Sequence, residues 1–193
     1  RKASLQAWVR ETVARHGIRK AIVFSGAMAQ YVRGLGLHVV VDFVDVDSAK
    51  WSQYAERHRW PSSFVYRREG ERLLSFERAA AASSAASVFV THAEVDLFNR
   101  LAPECIGRVH VIEMGVDTEY FSLSAERPSP FAAGEVPLVF TGAMDYWPNI
   151  DAAVWFTREV LPLVKSQCPA ARFHAVGMRP APAVSELASE ANV

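Results

Sequence analysis

The sequence has little of what would classify it at a glance. It holds only two cysteines in 193 residues, Cys105 and Cys168, which lie far apart. They form no CxxC pair and no zinc-ligand pattern, so a disulfide-stapled scaffold is excluded and two reduced thiols are expected. No apolar run approaches the ~20 residues of a membrane-spanning helix; Val39-Val40-Val41 and Leu138-Val139-Phe140 are only strand-length. Charge of one sign is missing too, since 21 basic residues balance 21 acidic ones. A zero net charge argues against a general affinity for nucleic acid and gives no help with a membrane surface. There is no GxGxxG dinucleotide fingerprint, no GxxxxGK[ST] phosphate loop and no GxSxG nucleophile elbow. The six histidines are scattered without HxxxH spacing, as surface or capping residues would be. The chain opens on Arg1-Lys2 and stops at Asn192-Val193; we expect an internal piece of a longer protein.

Half of the residues are apolar and 22% are charged, the balance of a globular protein with a buried core. Leu5, Trp8, Val9 and Val13 share one face of an expected helix over residues 4–16, with Gly17 as its stop. A short buried strand follows at 21–24, then a turn at Ser25-Gly26, a short helix at 27–32 and a strand at 38–41. That strand runs into an acidic segment, Asp42-Phe43-Val44-Asp45-Val46-Asp47. Residues 64–86 predict one long helix with a mixed-sign face that includes Glu69, Glu77 and Arg78. Strands are expected at 87–90 and 108–112. Between them lies a helix over 92–101, opened by Thr91 as N-cap with Glu94 at capping-box spacing.

The pattern lapses over residues 115–134, where Pro128, Pro130 and Gly134 stand among polar residues, as in a linker. The cycle restarts with a strand at 138–141 and a helix from Pro148 toward Lys165, bent in its last turn by Pro162. A strand at 172–176 and a helix at 182–191 complete it. Alternating strands and helices imply α/β architecture with parallel sheets. The expected organisation is the C-terminal portion of a first α/β domain over 1–114, a linker over 115–134 and the N-terminal portion of a second α/β domain over 135–193.

Open parallel sheets bind ligands at the carboxyl ends of their strands. Three such ends carry chemistry. In Phe140-Thr141-Gly142-Ala143-Met144-Asp145-Tyr146-Trp147-Pro148-Asn149 a strand enters a glycine loop and leaves through a helix N-terminus. Exposed N–H groups there would suit an anion such as a diphosphate, and Tyr146 or Trp147 could stack on a base or sugar or else pack under the loop. Asp42, Asp45 and Asp47 crowd the second end, where a carboxylate could take a sugar hydroxyl or act as a base, or merely cap a helix. Ser25-Gly26-Ala27-Met28 forms the third, with turn chemistry as the simpler account. His92 follows a strand end and is the one histidine singled out.

Val111-Ile112-Glu113-Met114-Gly115-Val116-Asp117-Thr118-Glu119-Tyr120-Phe121 resembles the V-I-x-N-G-V-D-x-x-x-F linker of retaining two-domain glycosyltransferases of the GT-B type, family 4. Thr91-His92-Ala93-Glu94 resembles the V-S-x-x-E step before that linker. The segment from Phe140-Thr141-Gly142 through Pro169-Ala170-Ala171-Arg172-Phe173 to Val176-Gly177 is similar to the opening of the donor domain. Residues 41–48, Tyr66-Arg67-Arg68-Glu69-Gly70 and residues 140–151 resemble a bacterial subgroup encoded with exopolysaccharide and PEP-CTERM/exosortase systems.

The resemblance implies two Rossmann-like domains joined by a linker. Its activity is transfer of a sugar, with retention, from a nucleotide-diphosphate sugar to an acceptor hydroxyl in cell-surface glycan synthesis. It needs no metal or other cofactor. The acceptor, a glycan or a lipid-linked sugar, belongs on the first domain and the donor on the second. Asp45, Asp47 and His92 are the catalytic candidates, and Gly142, Asp145, Tyr146, Trp147 and Asn149 the donor-binding ones. A cytoplasmic enzyme, at the inner face of the membrane in its full-length form, is the setting implied.

The chain departs from the pattern in several places. Met114 replaces the usual Asn, and the diphosphate-holding Arg and Lys have no match within 145–151. The acceptor loop would precede Arg1 and the E-x7-E element would follow Val193. Glu69 and Glu77 have that spacing by coincidence, inside a charged helix. With half of each site outside it, the chain is expected to be inactive and prone to self-association. A non-catalytic sugar- or nucleotide-binding module, a phosphosugar epimerase of the same two-domain shape and an interaction scaffold are the rivals.

Overall fold

The computed structural model describes residues 2–122 and 128–189. The chain divides into two compact units, Arg1–Phe121 and Ser122–Val193. Both are α/β with parallel sheets. No helix among the described residues is long and apolar enough to cross a membrane.

The first unit holds four parallel strands in the order β1 (Lys20–Phe24), β2 (His38–Val44), β3 (Ala86–Phe89) and β4 (Val109–Val111). Helix α1 (Ala3–His16) precedes them, a 3-10 turn (Gly26–Tyr31) links β1 to β2, and α4 (His92–Leu101) links β3 to β4. In β2 the buried positions alternate, with Val39, Val41 and Phe43 facing one side. That face meets β3 and α4 through the rings of Phe43, Phe89 and Phe98, whose centroids lie 5.0–5.9 Å apart. Such ring packing adds to the stabilisation from area burial alone. The apolar stripe of α1 is only half-buried and its Trp8 is exposed.

Between β2 and β3 the chain forms two helices where the sequence predicted one. Helix α2 (Asp47–Arg57) and helix α3 (Ser62–Ser83) pack as a hairpin. Charged residues and three aspartates nearby hid α2, since its hydrophobic positions are few. Gly70 lies where α3 crosses α2, and a Cβ there would meet Ser52 Oγ at 3.2 Å and the Ser48 carbonyl at 3.3 Å. A glycine in mid-helix therefore serves close helix approach.

In the second unit, β5 (Val136–Thr141) pairs in parallel with β6 (Ala171–Val176). Their connection is α5 (Trp147–Trp155), a π-helical turn (Phe156–Val160) and α6 (Leu161–Gln167). The expected bend thus falls before Pro162. A proline has no N–H to give and its ring crowds the carbonyl four residues back, at Arg158; a widened π turn relieves both. Phe173, Leu161, Ala153 and Leu187 form the small core, with the Phe156 ring tilted against Phe173 at 4.7 Å between centroids. After β6 come α7 (Pro182–Ser185) and a 3-10 turn (Glu186–Ser189); the last two positions of the helix expected over 182–191 lie outside the described residues. So does the stretch 123–127 of the expected linker. Before it, the Asp117 carboxylate accepts the N–H groups of Glu119 (3.1 Å) and Tyr120 (2.8 Å) and shapes a turn.

Candidate functional site at the carboxyl edges of two sheets

Because β1 to β4 run parallel, Ser25, the 45–47 segment and Thr91-His92 all emerge at one edge of the first sheet. The edge begins with a bulge. The β2–β3 register shifts between Asp42 and Val44, and Val44 adopts φ +70°, a conformation costly for a β-branched residue. The Asp42 carboxylate steadies the bulge by accepting the Val44 N–H at 3.0 Å. Ser25 donates its N–H to the Asp42 carbonyl and accepts that of Met28, so this third candidate is turn chemistry.

Asp45 and Asp47 meet through Lys50. Its Nζ donates to Asp45 Oδ2 at 2.8 Å and to Asp47 Oδ1 at 3.1 Å. Burial disfavours the ammonium, but the hydrogen bonds and charges of the two aspartates outweigh it, so the Lys50 pKa moves up. The lysine remains charged and both carboxylates are ion-paired. Asp47 is also the first residue of α2, where an acid suits the helix dipole.

Two glutamates from other helices close the start of α2. Glu94 Oε2 accepts the Val46 N–H at 2.6 Å. Glu77 accepts the Ser48 N–H at 3.1 Å and the Ser48 hydroxyl at 2.5 Å. Glu77, placed by its sequence on a solvated charged face, is in fact buried. Desolvation lifts its carboxyl above the usual range despite the bonds from Ser48, with the Asp47 charge adding to the rise. Thr91 caps α4 by accepting the Glu94 N–H at 3.2 Å, as its spacing predicts. His92 is the first residue of that helix and is exposed. The Glu94–Val46 bond ties the start of α4 to the 45–47 segment, so the three catalytic candidates share one edge.

The second edge is built from two loops. Gly142 donates its N–H to the Val176 carbonyl, Met144 to that of Met178 and Ala181 to that of Met144, each at 3.0 Å. A Cβ on Gly177 would stand 1.7 Å from the Gly142 carbonyl oxygen, so only glycine lets the loops approach so closely. A Cβ on Gly142 would meet the Asn149 amide at 2.5 Å, and Asn149 Nδ2 donates to the Ala143 carbonyl at 3.0 Å. Asn149 therefore closes the loop from within. Met144 is its buried plug. Tyr146 is exposed and Trp147 half-buried at the start of α5.

The loop differs from the expected anion cradle, because the N–H groups of Gly142, Met144 and Tyr146 already serve the protein's own carbonyls. The cation of this edge comes from elsewhere. Arg179, three residues past β6, pairs through Nε with Asp145 Oδ2 at 3.0 Å. Its side chain is 68% exposed and its φ is +54°. Position after a strand end was the available signal, and the expectation looked for a cation only in the first loop.

Cys105 is buried, and desolvation pushes its thiol up, away from nucleophilic character. Both cysteines are free. Among the described residues no three His, Cys, Asp or Glu side chains cluster so as to hold a metal ion. No protein-family model matches the chain, and no curated protein does.

Proposed function

We propose that this chain belongs to a retaining glycosyltransferase of the GT-B type, which moves a sugar from a nucleotide-diphosphate donor to an acceptor hydroxyl. The observation that carries the reading is the second unit's edge. Two glycine-locked loops bring Gly142, Asp145, Tyr146, Trp147 and Arg179 to the ends of adjacent parallel strands. An exposed Arg–Asp pair contributes little stability, about 0–1 kcal/mol, so Arg179 would exchange Asp145 for a diphosphate at small cost. Neutralising the leaving diphosphate is the main electrostatic demand of the reaction. The motif resemblance at 111–121 and 140–149 supports the same reading. The acceptor would lie at the first unit's edge, with Asp45, Asp47 and His92 as its candidate contacts, and the product would be a cell-surface glycan.

Calorimetric titration of the complete protein with nucleoside diphosphates and their sugar conjugates tests it. Saturable binding that Arg179→Ala weakens about tenfold supports the reading; binding of none of them sinks it. In a transfer assay of the complete enzyme, unchanged turnover in both Asp45→Asn and Asp47→Asn removes these residues from the site. The bond from Lys50 to both aspartates favours one rival, a nucleotide- or sugar-binding module without turnover, because a helix-start ion pair needs no catalytic duty to explain it. Binding without transfer or donor hydrolysis by the complete protein would select that reading.

A further inference from the structure

The tip of the α2–α3 hairpin combines basic charge with exposed aromatic rings. Residues 57–68 hold four arginines and no acidic residue, in a chain whose net charge is zero. At the same tip Trp60 is 81% exposed and Phe64 62% exposed. A tryptophan so exposed at a helical turn leaves much apolar area in water.

The tip is also braced from behind. Trp51, Tyr54 and Tyr66 form a ring cluster with centroids 5.7–5.9 Å apart, and His58 stacks edge-on to Tyr66 at 4.9 Å. His58 Nδ1 lies 2.8 Å from the Tyr54 carbonyl. These contacts fix the inner face of the hairpin, and Trp60 and Phe64 are left on the outer one. Phe64, Arg67 and Arg68 follow one another at helical neighbour spacing on α3. Glu69, one residue on, pairs with Arg68 at 3.0 Å and marks where the acid-free stretch ends.

We propose that this tip docks the protein on an anionic lipid bilayer, with Trp60 and Phe64 entering the interfacial layer and Arg57, Arg59, Arg67 and Arg68 meeting the lipid phosphates. Charge complementarity selects the occupant. Interfacial anchors combine a tryptophan with aliphatic or aromatic neighbours and a basic rim, and both signals together give stable binding where one gives only marginal binding. A convex, aromatic-tipped projection fits a layer it can enter. The surface is separate from the candidate site, so vesicle binding and nucleotide binding succeed or fail independently, although the membrane setting agrees with what the resemblance implies.

The test is flotation of the full chain with vesicles of phosphatidylcholine alone and of phosphatidylcholine with phosphatidylglycerol. Binding is expected to the mixed vesicles and to fall steeply as salt is raised. Trp60→Ala with Phe64→Ala should weaken partitioning at least about tenfold, and Arg59→Glu or Arg67→Glu about fivefold or more each. Both pairs of side chains are exposed, and far-ultraviolet circular dichroism checks that the fold is kept. In parallel, Trp60 emission should shift to the blue on adding mixed vesicles, a shift absent from Trp60→Phe while that variant still floats. No flotation with mixed vesicles overturns the proposal. So does flotation that both variant sets leave unchanged, or retention on single-stranded nucleic acid without vesicle binding, which would assign the basic tip to a polyanion instead.

Discussion

Glu77 sits on α3 among arginines and glutamates that face water, yet its own carboxylate is buried against Ser48. Helical periodicity in a charged stretch carries no mark that separates one glutamate from the others, so only packing could reveal it. Glu77→Ala would leave the Ser48 N–H and hydroxyl buried without their acceptor and should cost about 1–3 kcal/mol, read from urea denaturation. Glu77→Gln keeps an acceptor and removes the charge. The folded Glu77 holds its proton more tightly than the unfolded chain does. Its contribution is therefore fully present below the unfolded carboxylate value and is lost as pH rises through the raised folded one. The stability of Glu77→Gln relative to the native protein should improve as pH rises from the ordinary carboxylate range through the raised folded one. A difference that stays flat across that range would contradict the buried, desolvated environment. At Gly177 the sequence offered a glycine after a strand, a common turn signal. The 1.7 Å contact of a Cβ with the Gly142 carbonyl shows a packing demand instead. Gly177→Ala should force the loops apart, destabilise the second unit by about 1–3 kcal/mol and weaken any nucleotide binding. Unaltered stability would mean that the loops are looser than described.

Helix α2 depends on groups supplied by other elements. Its own N-cap, Val46, has no side chain to cap with. Glu94 from α4 and Glu77 from α3 accept its first N–H groups. The spacing from Thr91 to Glu94 marked the start of α4 correctly, since Thr91 accepts the Glu94 N–H. It gave no hint that the Glu94 carboxylate would bridge to α2. Thr91→Ala should cost about 1 kcal/mol and fray α4. Glu94→Ala should instead lose hydrogen-exchange protection at Val46 and the first turn of α2. If exchange at α2 is unchanged in Glu94→Ala, the bridge carries no weight. The α5–α6 rod shows the same division. Pro162 announced an irregularity, which takes the form of a π turn just ahead of it.

At the scale of the molecule, both sheets leave apolar surface in water. On β1, Ile22 is 83% exposed and Phe24 67% exposed. They lie on the open face of an edge strand, where pairing with another chain is favoured. The chain should associate as its concentration rises. Ile22→Lys with Phe24→Lys should move the onset to higher concentration in sedimentation velocity. The same onset in both proteins would show that this face is not responsible.

By itself the sequence determined the alternation of strands and helices, hence the parallel α/β class, because hydrophobic periodicity and turn residues are local properties of the chain. It also placed Asp45, Asp47 and His92, and the 142–149 segment, at strand ends, since a parallel sheet puts every such end on one edge. Tertiary structure alone decided what those groups touch. It sent Glu94 and Glu77 to α2, packed the expected long helix against a second helix that the sequence did not announce, and set Arg179 beside Asp145. Each of these rests on contacts between residues distant in sequence or on burial, and neither burial nor distant contact leaves a periodic trace in the chain.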